Sequence, residues 1–236
     1  MKPNRRKGCS DMWFGFSRFL FSTGKFGLLL AIFLLQLVTL PLFEGKVASG
    51  FLSDLLFVLL LAGAANSVKD NRYFRLVLFL GGLSLLGVVV CYFTENISVL
   101  LVTSVVYLAY LGFVTVLIAL DVGRDARINV DNVMGGLCVY ILIGVFWATL
   151  FSMLETASPG SFDFGRHGAH LGLVQSGTLL YYYSFTTLMT IGFGDVVPMS
   201  HMAQTLSILE GLVGQFYLVF FMASLVGRYI AGKQND

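Results

Sequence analysis

The chain has 236 residues, 57% hydrophobic and 14% aromatic but only 12% charged, with a mean hydropathy of +0.83. A soluble domain carries about 25% charge and about 45–50% apolar residues, so a soluble globule, a disordered chain and a small disulfide scaffold are excluded. A net charge of +2 offers no basic surface for nucleic acid, and the composition is that of a polytopic membrane protein.

Residues 1–25 form a basic, aromatic-rich segment. Ser10 and Asp11 suit the start of a short helix reaching about Ser22, with Trp13, Phe14, Phe16 and Phe19 set against Arg18. Two readings fit it: a helix lying in the cytoplasmic interface, or an aromatic start to the first span. Crossing a hydrocarbon core of ~30 Å takes about 20 apolar helical residues. Six stretches qualify, at 26–43, 47–68, 73–93, 97–120, 133–154 and 202–230. Asp54 lies in the second, where it reads as a residue near the outer interface or as a buried acid. Cys9, Cys91 and Cys138 have neither metal-ligand nor disulfide spacing and read as small apolar residues.

Orientation follows from the basic residues. With the amino terminus in the cytoplasm, thirteen of the fifteen Lys and Arg fall inside, and only Lys46 and Arg166 fall outside. Both termini are then expected in the cytoplasm. Residues 121–132, with Asp121, Arg124, Asp125, Arg127 and Asp131, read as a cytoplasmic linker that can form a short helix.

The informative stretch is 155–201. A polar, Gly-rich outer loop is expected over 155–177, then a short helix over 178–189. Twelve residues make ~18 Å of helix, too short to cross, so this element should enter the membrane and return. Thr190-Ile191-Gly192-Phe193-Gly194-Asp195 follows, and its alternating glycines argue against helix. Non-helical backbone at membrane depth is tolerated where it is buried in protein or lines a watery path. Glycines let successive carbonyls point one way, and a ring of carbonyls can replace a cation's hydration shell.

From Thr178 to Arg228 the chain resembles the pore domain of potassium channels, whose filters read Thr-Val/Ile-Gly-Tyr/Phe-Gly-Asp. The likeness includes Tyr181-Tyr182-Tyr183-Ser184-Phe185 ahead of the loop, Pro198 beyond it and Gly214 in the last helix. It implies an all-α membrane protein with six transmembrane helices, a re-entrant pore helix and a selectivity filter. The domains expected are a four-helix unit over 26–120 and a pore unit over 133–236. Because one chain supplies one loop, the pore should be a homotetramer, set in the lipid of a plasma or inner membrane. The implied ligands for K+, the permeant ion, are the carbonyls of Thr190, Ile191, Gly192 and Phe193, with the Thr190 hydroxyl; Gly194 completes the ion-binding stretch. Asp195 is implied behind the outer mouth, with Thr186, Tyr183 and Glu210 as supports. No catalytic residue and no organic cofactor is implied.

Departures matter too. Met189 stands where Thr is frequent, Thr186 where some members carry a carboxylate, and Phe193 lacks the Tyr hydroxyl. Asp195 must therefore find other partners, such as a Tyr hydroxyl or water. The fourth span has no Lys or Arg, whereas a voltage sensor needs about three or four charges per subunit. Gly211 and Gly214 are candidate hinges or close-packing points. Met222, Ala223, Val226 and Ile230 are a candidate gate or face neighbouring helices. Glu210, an acid inside the last span, is a candidate for pairing with Ser184, Thr187 or a Tyr, or for pH sensing. His167 and His170 have a spacing that could bind Zn on a helix, or sense external pH from four copies around a mouth; Gly165 and Gly168 argue instead for a solvated loop. Six residues follow Ile230, so a regulator is expected to act through the membrane domain, lipid or a separate subunit. The expectation is a K+-selective passive channel; the alternatives are a weakly selective cation channel and a non-conducting auxiliary subunit.

Overall fold

Inside hydrocarbon, backbone polar groups find no water, so an apolar chain folds into helices that satisfy their own amides. The computed structural model describes residues 25–42, 58, 62, 63, 72–94, 96–124, 129–165 and 173–234. In chain order these form α1 (Lys25–Leu42), α2 (Phe74–Phe93), α3 (Ile97–Arg124), α4 (Val130–Ala157), β1 (Phe162–Asp163), α5 (Leu173–Leu188), β2 (Val197–Pro198), α6 (His201–Phe216) and α7 (Ala223–Gln234). A π-helical turn, Tyr217–Met222, joins α6 to α7, and the three run on as one inner helix.

Among the described residues four helices are long and apolar enough to cross a membrane: Phe74–Cys91, Ile97–Arg124, Val130–Ala157 and His201–Gly232. They correspond to the third to sixth expected spans. The first expected span appears as α1, with a shorter apolar stretch, Phe26–Leu35. The second lies outside the described residues except for Val58, Ala62 and Gly63, which are helical. Asp54 and residues 1–24 of the amino-terminal segment also lie outside them.

Local chemistry sets the helix ends. Thr94 leaves α2 in an extended conformation, and the Asn96 side chain accepts from the Ser98 amide at 2.9 Å where α3 begins. Asn129 and Asn132 bond reciprocally, at 3.0 and 3.1 Å, in a capping box that starts α4. This corrects the expected linker helix over 121–132. Asp121 to Arg124 complete α3 and Val130 to Asn132 open α4. Buried Val122, close against Gly135, holds the last turn of α3, while Asn129 restarts the chain as a new helix. Asp125 and Arg127 lie outside the described residues.

Many Ser and Thr side chains within the spans are absorbed by their own helices. Ser84, Thr103, Ser104, Thr115, Thr149 and Ser152 each donate to the carbonyl four residues back, at 2.6–2.9 Å.

The spine of the fold is α4. Its first half packs into a core with Phe26 and Phe33 of α1, Tyr110, Leu111 and Ile118 of α3, and Leu225 of α7. Its second half contributes Trp147 and Phe151 to another core with Phe162, Tyr183 and Val196. The amino-terminal helices α1–α3 and the carboxy-terminal elements therefore share one core through α4. Two polar contacts fasten them at one end. The Phe26 amide donates to Asp131 Oδ1 at 3.2 Å, and Arg228 Nη1 donates to the Gly123 carbonyl at 3.1 Å. The second places a cation at the carbonyl end of α3, where the helix dipole favours it.

The docking of α1 and α3 on α4 depends on the small volume of Gly135, where a Cβ would lie 2.6 Å from Val122 and 2.9 Å from the Phe26 ring. Gly135→Ala should cost about 1–3 kcal/mol through overpacking. At Gly82 a Cβ meets nothing within 4 Å, and Gly82→Ala should gain up to about 1 kcal/mol from helix propensity. Thermal unfolding of the two variants in detergent checks the contrast.

Candidate functional site

The segment between α4 and α6 is a frame around one short loop. α4 runs to Ala157, and the chain then turns through Ser158, Pro159 and Gly160. The Glu155 carboxylate accepts from the amides of Gly160 at 2.8 Å and Phe162 at 3.0 Å, closing that turn. β1 then pairs antiparallel with β2, Phe162 opposite Pro198, and the Met199 amide donates to the Ser161 carbonyl at 2.8 Å. The expected outer loop over 155–177 is thus shortened from both ends, because α5 begins at Leu173 and not at Thr178. Leu173-Val174-Gln175-Ser176 contains no helix breaker, and Gly177 is tolerated in a helix. At 16 residues α5 is ~24 Å long, still short of a crossing. Arg166, His167 and His170 lie outside the described residues.

The chain leaves α5 at Met189 and turns sharply. φ is positive at Thr190 (60°), Gly192 (56°) and Gly194 (77°), and at neither Ile191 nor Phe193. Backbone of alternating handedness turns successive peptide planes the same way, so their carbonyls gather on one side. Thr190 takes this conformation despite its β-branch, a strain of about 1–3 kcal/mol that persists only where the surroundings impose it.

They do so by hydrogen bonds. The amides of Thr190, Ile191 and Gly192 donate back to the last turn of α5: Thr190 to the Thr187 carbonyl at 2.9 Å, Ile191 and Gly192 to the Thr186 carbonyl at 2.8 and 3.2 Å. Among the described residues no hydrogen bond uses the carbonyls of residues 190–194. The loop thus commits amides on one side and leaves carbonyls on the other. Residues 189–195 are exposed in the single chain.

Side chains of α5 brace the loop unequally. Tyr182 stacks on Phe193, with centroids 6.2 Å apart and planes 3° from parallel, and its hydroxyl donates to Asp195 Oδ2 at 2.9 Å. Asp195 Oδ1 accepts from the Val196 amide at 3.1 Å. Tyr183 turns away from the loop, into the ring cluster with Phe151 and Phe162, and its hydroxyl meets Ser207 Oγ at 2.7 Å. The Thr186 side chain donates to the Tyr183 carbonyl at 2.9 Å, so Thr186 supports the loop through its backbone carbonyl. Tyr182 was not singled out from sequence. Of three consecutive tyrosines only one can face the loop, and nothing in their order says which. Also missed were Tyr140, whose hydroxyl donates to the Leu188 carbonyl at 3.0 Å, and Tyr217, which stacks on Tyr140 and donates to the Gly136 carbonyl at 2.6 Å.

On the inner helix, Glu210 is fully buried. Its Oε1 lies 2.5 Å from Ser184 Oγ, which is also 2.8 Å from the Gly144 carbonyl. Gly214 is buried, with a virtual Cβ 2.9 Å from the Leu188 carbonyl, whereas a Cβ on Gly211 meets nothing within 4 Å. The helix is continuous at both glycines and departs from α geometry only at the π turn below them. Met222 sets its sulfur 2.7 Å from the Cβ position of Gly136, so it packs on α4. Ala223, Val226 and Ile230 are exposed on the single chain.

Residues 172–231 match the family model described as ion channel. The match takes in α5, the 190–195 loop and most of the inner helix, about a quarter of the chain. No curated protein and no solved structure matches it. The chain is a multi-pass, mainly helical membrane protein, and its residues 172–231 are similar to an ion channel.

The glycines give a test of packing against hinging. Gly214→Ala should force Leu188 outward and cost about 1–3 kcal/mol, lowering the thermal midpoint of the purified protein. Gly211→Ala should leave that midpoint unchanged or raised.

Proposed function

We propose that this chain is a potassium-selective pore built from four copies, which conducts K+ passively and without sensor-type voltage gating. The observation that carries the reading is the one-sided bonding of the loop: the amides of residues 190–192 are held by α5, the carbonyls of residues 190–194 are unused among the described residues, and φ is positive at alternate residues. Four such loops around an axis would offer rings of carbonyl oxygens to a dehydrated cation, Thr190 adding its hydroxyl at the inner end. The match of residues 172–231 to the ion-channel family supports the same reading.

Selectivity in such a site needs a loop that holds its shape when a smaller cation enters. Stacking of Tyr182 on Phe193 and its hydroxyl bond to Asp195 supply that bracing. Assembly as a tetramer accounts for the exposed loop and for the apolar inner-helix face of Ile208, Leu212, Phe216, Val219 and Phe220. Val226 and Ile230 continue that face and are the better candidates for a hydrophobic closure, with Met222 turned to α4. In the membrane the basic ends, Arg124 and Arg228 among them, would face the cytoplasm. Along α3 the only Lys or Arg is Arg124 in its last turn, far from the three or four gating charges per subunit, about, that steep voltage dependence requires.

A second reading is a weakly selective cation channel. It is favoured by Asp195, which among the described residues has one tyrosine hydroxyl and its neighbour's amide as partners.

Purified protein in planar bilayers, with K+ opposed to Na+, separates the two. The expected reversal lies near the K+ equilibrium potential and is abolished by Gly192→Asp; a reversal near zero supports the second reading. Conductance should rise only shallowly with voltage, and a steep curve would sink the claim that no sensor operates.

A further inference from the structure

The contact between the inner helix and the back of α5 has too few hydrogens if Glu210 is a carboxylate. Ser184 and Glu210 are both fully buried. The Ser184 hydroxyl sits 2.5 Å from Glu210 Oε1 and 2.8 Å from the Gly144 carbonyl. A hydroxyl has one hydrogen, so two acceptors cannot both be satisfied by it. Glu210 Oε2 has no partner. The titratable groups facing Glu210 are Tyr140 from α4 and Tyr183 from α5. Both hydroxyls are engaged, Tyr140 with the Leu188 carbonyl and Tyr183 with Ser207. Among the described residues no cation pairs with Glu210, and the Phe185 ring packs against Gly144, closing the site.

One added hydrogen resolves the count. We infer that Glu210 is a neutral carboxylic acid and a positioning residue: its Oε1–H donates to Ser184 Oγ, whose own hydrogen goes to the Gly144 carbonyl. The chain of two bonds ties the inner helix and α4 to α5, whose last turn holds the loop amides. Oε2 is then a neutral carbonyl oxygen, the least costly group of the set to leave unpaired. The protonation state stands apart from the pore reading; only its consequence for selectivity rests on that reading.

Infrared difference spectroscopy of the full chain in lipid at neutral pH tests it. The native protein should show the carbonyl stretch of a protonated carboxylic acid that Glu210→Gln lacks, and Ser184→Ala should shift that band because the acid loses its acceptor. Identical spectra for native and Glu210→Gln would overturn the inference. Should the Gln variant not fold, an unmoved band in Ser184→Ala would overturn it instead. In bilayers Glu210→Gln, which keeps an N–H donor, should retain K+ over Na+ selectivity, and Glu210→Leu should lose it. Selectivity kept equally by both would overturn the positioning role. A native protein with no selective current would sink the pore reading and leave the infrared result standing.

Discussion

Backbone that leaves a helix must find new partners for its amides. Residues 190–192 do this by donating back into the last turn of α5, to the carbonyls of Thr186 and Thr187. Much else in this half of the molecule follows from that arrangement. It uses carbonyls that a helix end would otherwise leave unpaired, it requires positive φ at alternate residues, and it leaves one edge of the loop with acceptors only. The β1–β2 pairing and the Glu155-closed turn then fasten the far end of the loop, so that both of its ends are held by the chain itself.

Helical geometry distributes the bracing. Three consecutive tyrosines step around α5 by about 100° each, and each meets a different neighbour. Tyr181 packs on Phe185 beside the core shared with α1 and α3, Tyr182 faces the loop, and Tyr183 faces the inner helix and the outer ring cluster. The ring and hydroxyl of Tyr182 together supply support that Phe193, without a hydroxyl, cannot give from the loop side. Behind them α4 offers small residues where large neighbours approach: Gly136 receives Met222 and Leu225, and Gly144 receives Phe185.

The inner helix is pinned at two heights. Gly214 lies against the end of α5, and Tyr217 is bonded to the Gly136 carbonyl of α4. The π turn begins at Tyr217, where an extra residue per turn reconciles those two attachments. Such turns are frequent at functional sites. At the end of the turn Met222 packs on α4, while Val226 and Ile230 below it are exposed on the single chain.

Properties carried by consecutive residues were legible in the sequence. Apolar length marked the third to sixth spans to within a turn or so at most ends, the Thr190–Asp195 motif marked the loop, and the absence of basic residues inside the fourth span was read directly. How the 121–132 segment divides between two helices depended on the capping box at Asn129 and on packing around Val122, which span length alone does not report. The choice of Tyr182 as the partner of Asp195 was decided by tertiary structure, because one helical step in register selects it. So was which of the partners read from sequence, Ser184, Thr187 or a Tyr, meets Glu210, and that the Ser184 hydroxyl also meets the Gly144 carbonyl, 40 positions away. A linear sequence states which groups need partners; which partners they get depends on helices placed side by side, and that placement is a property of the packed fold.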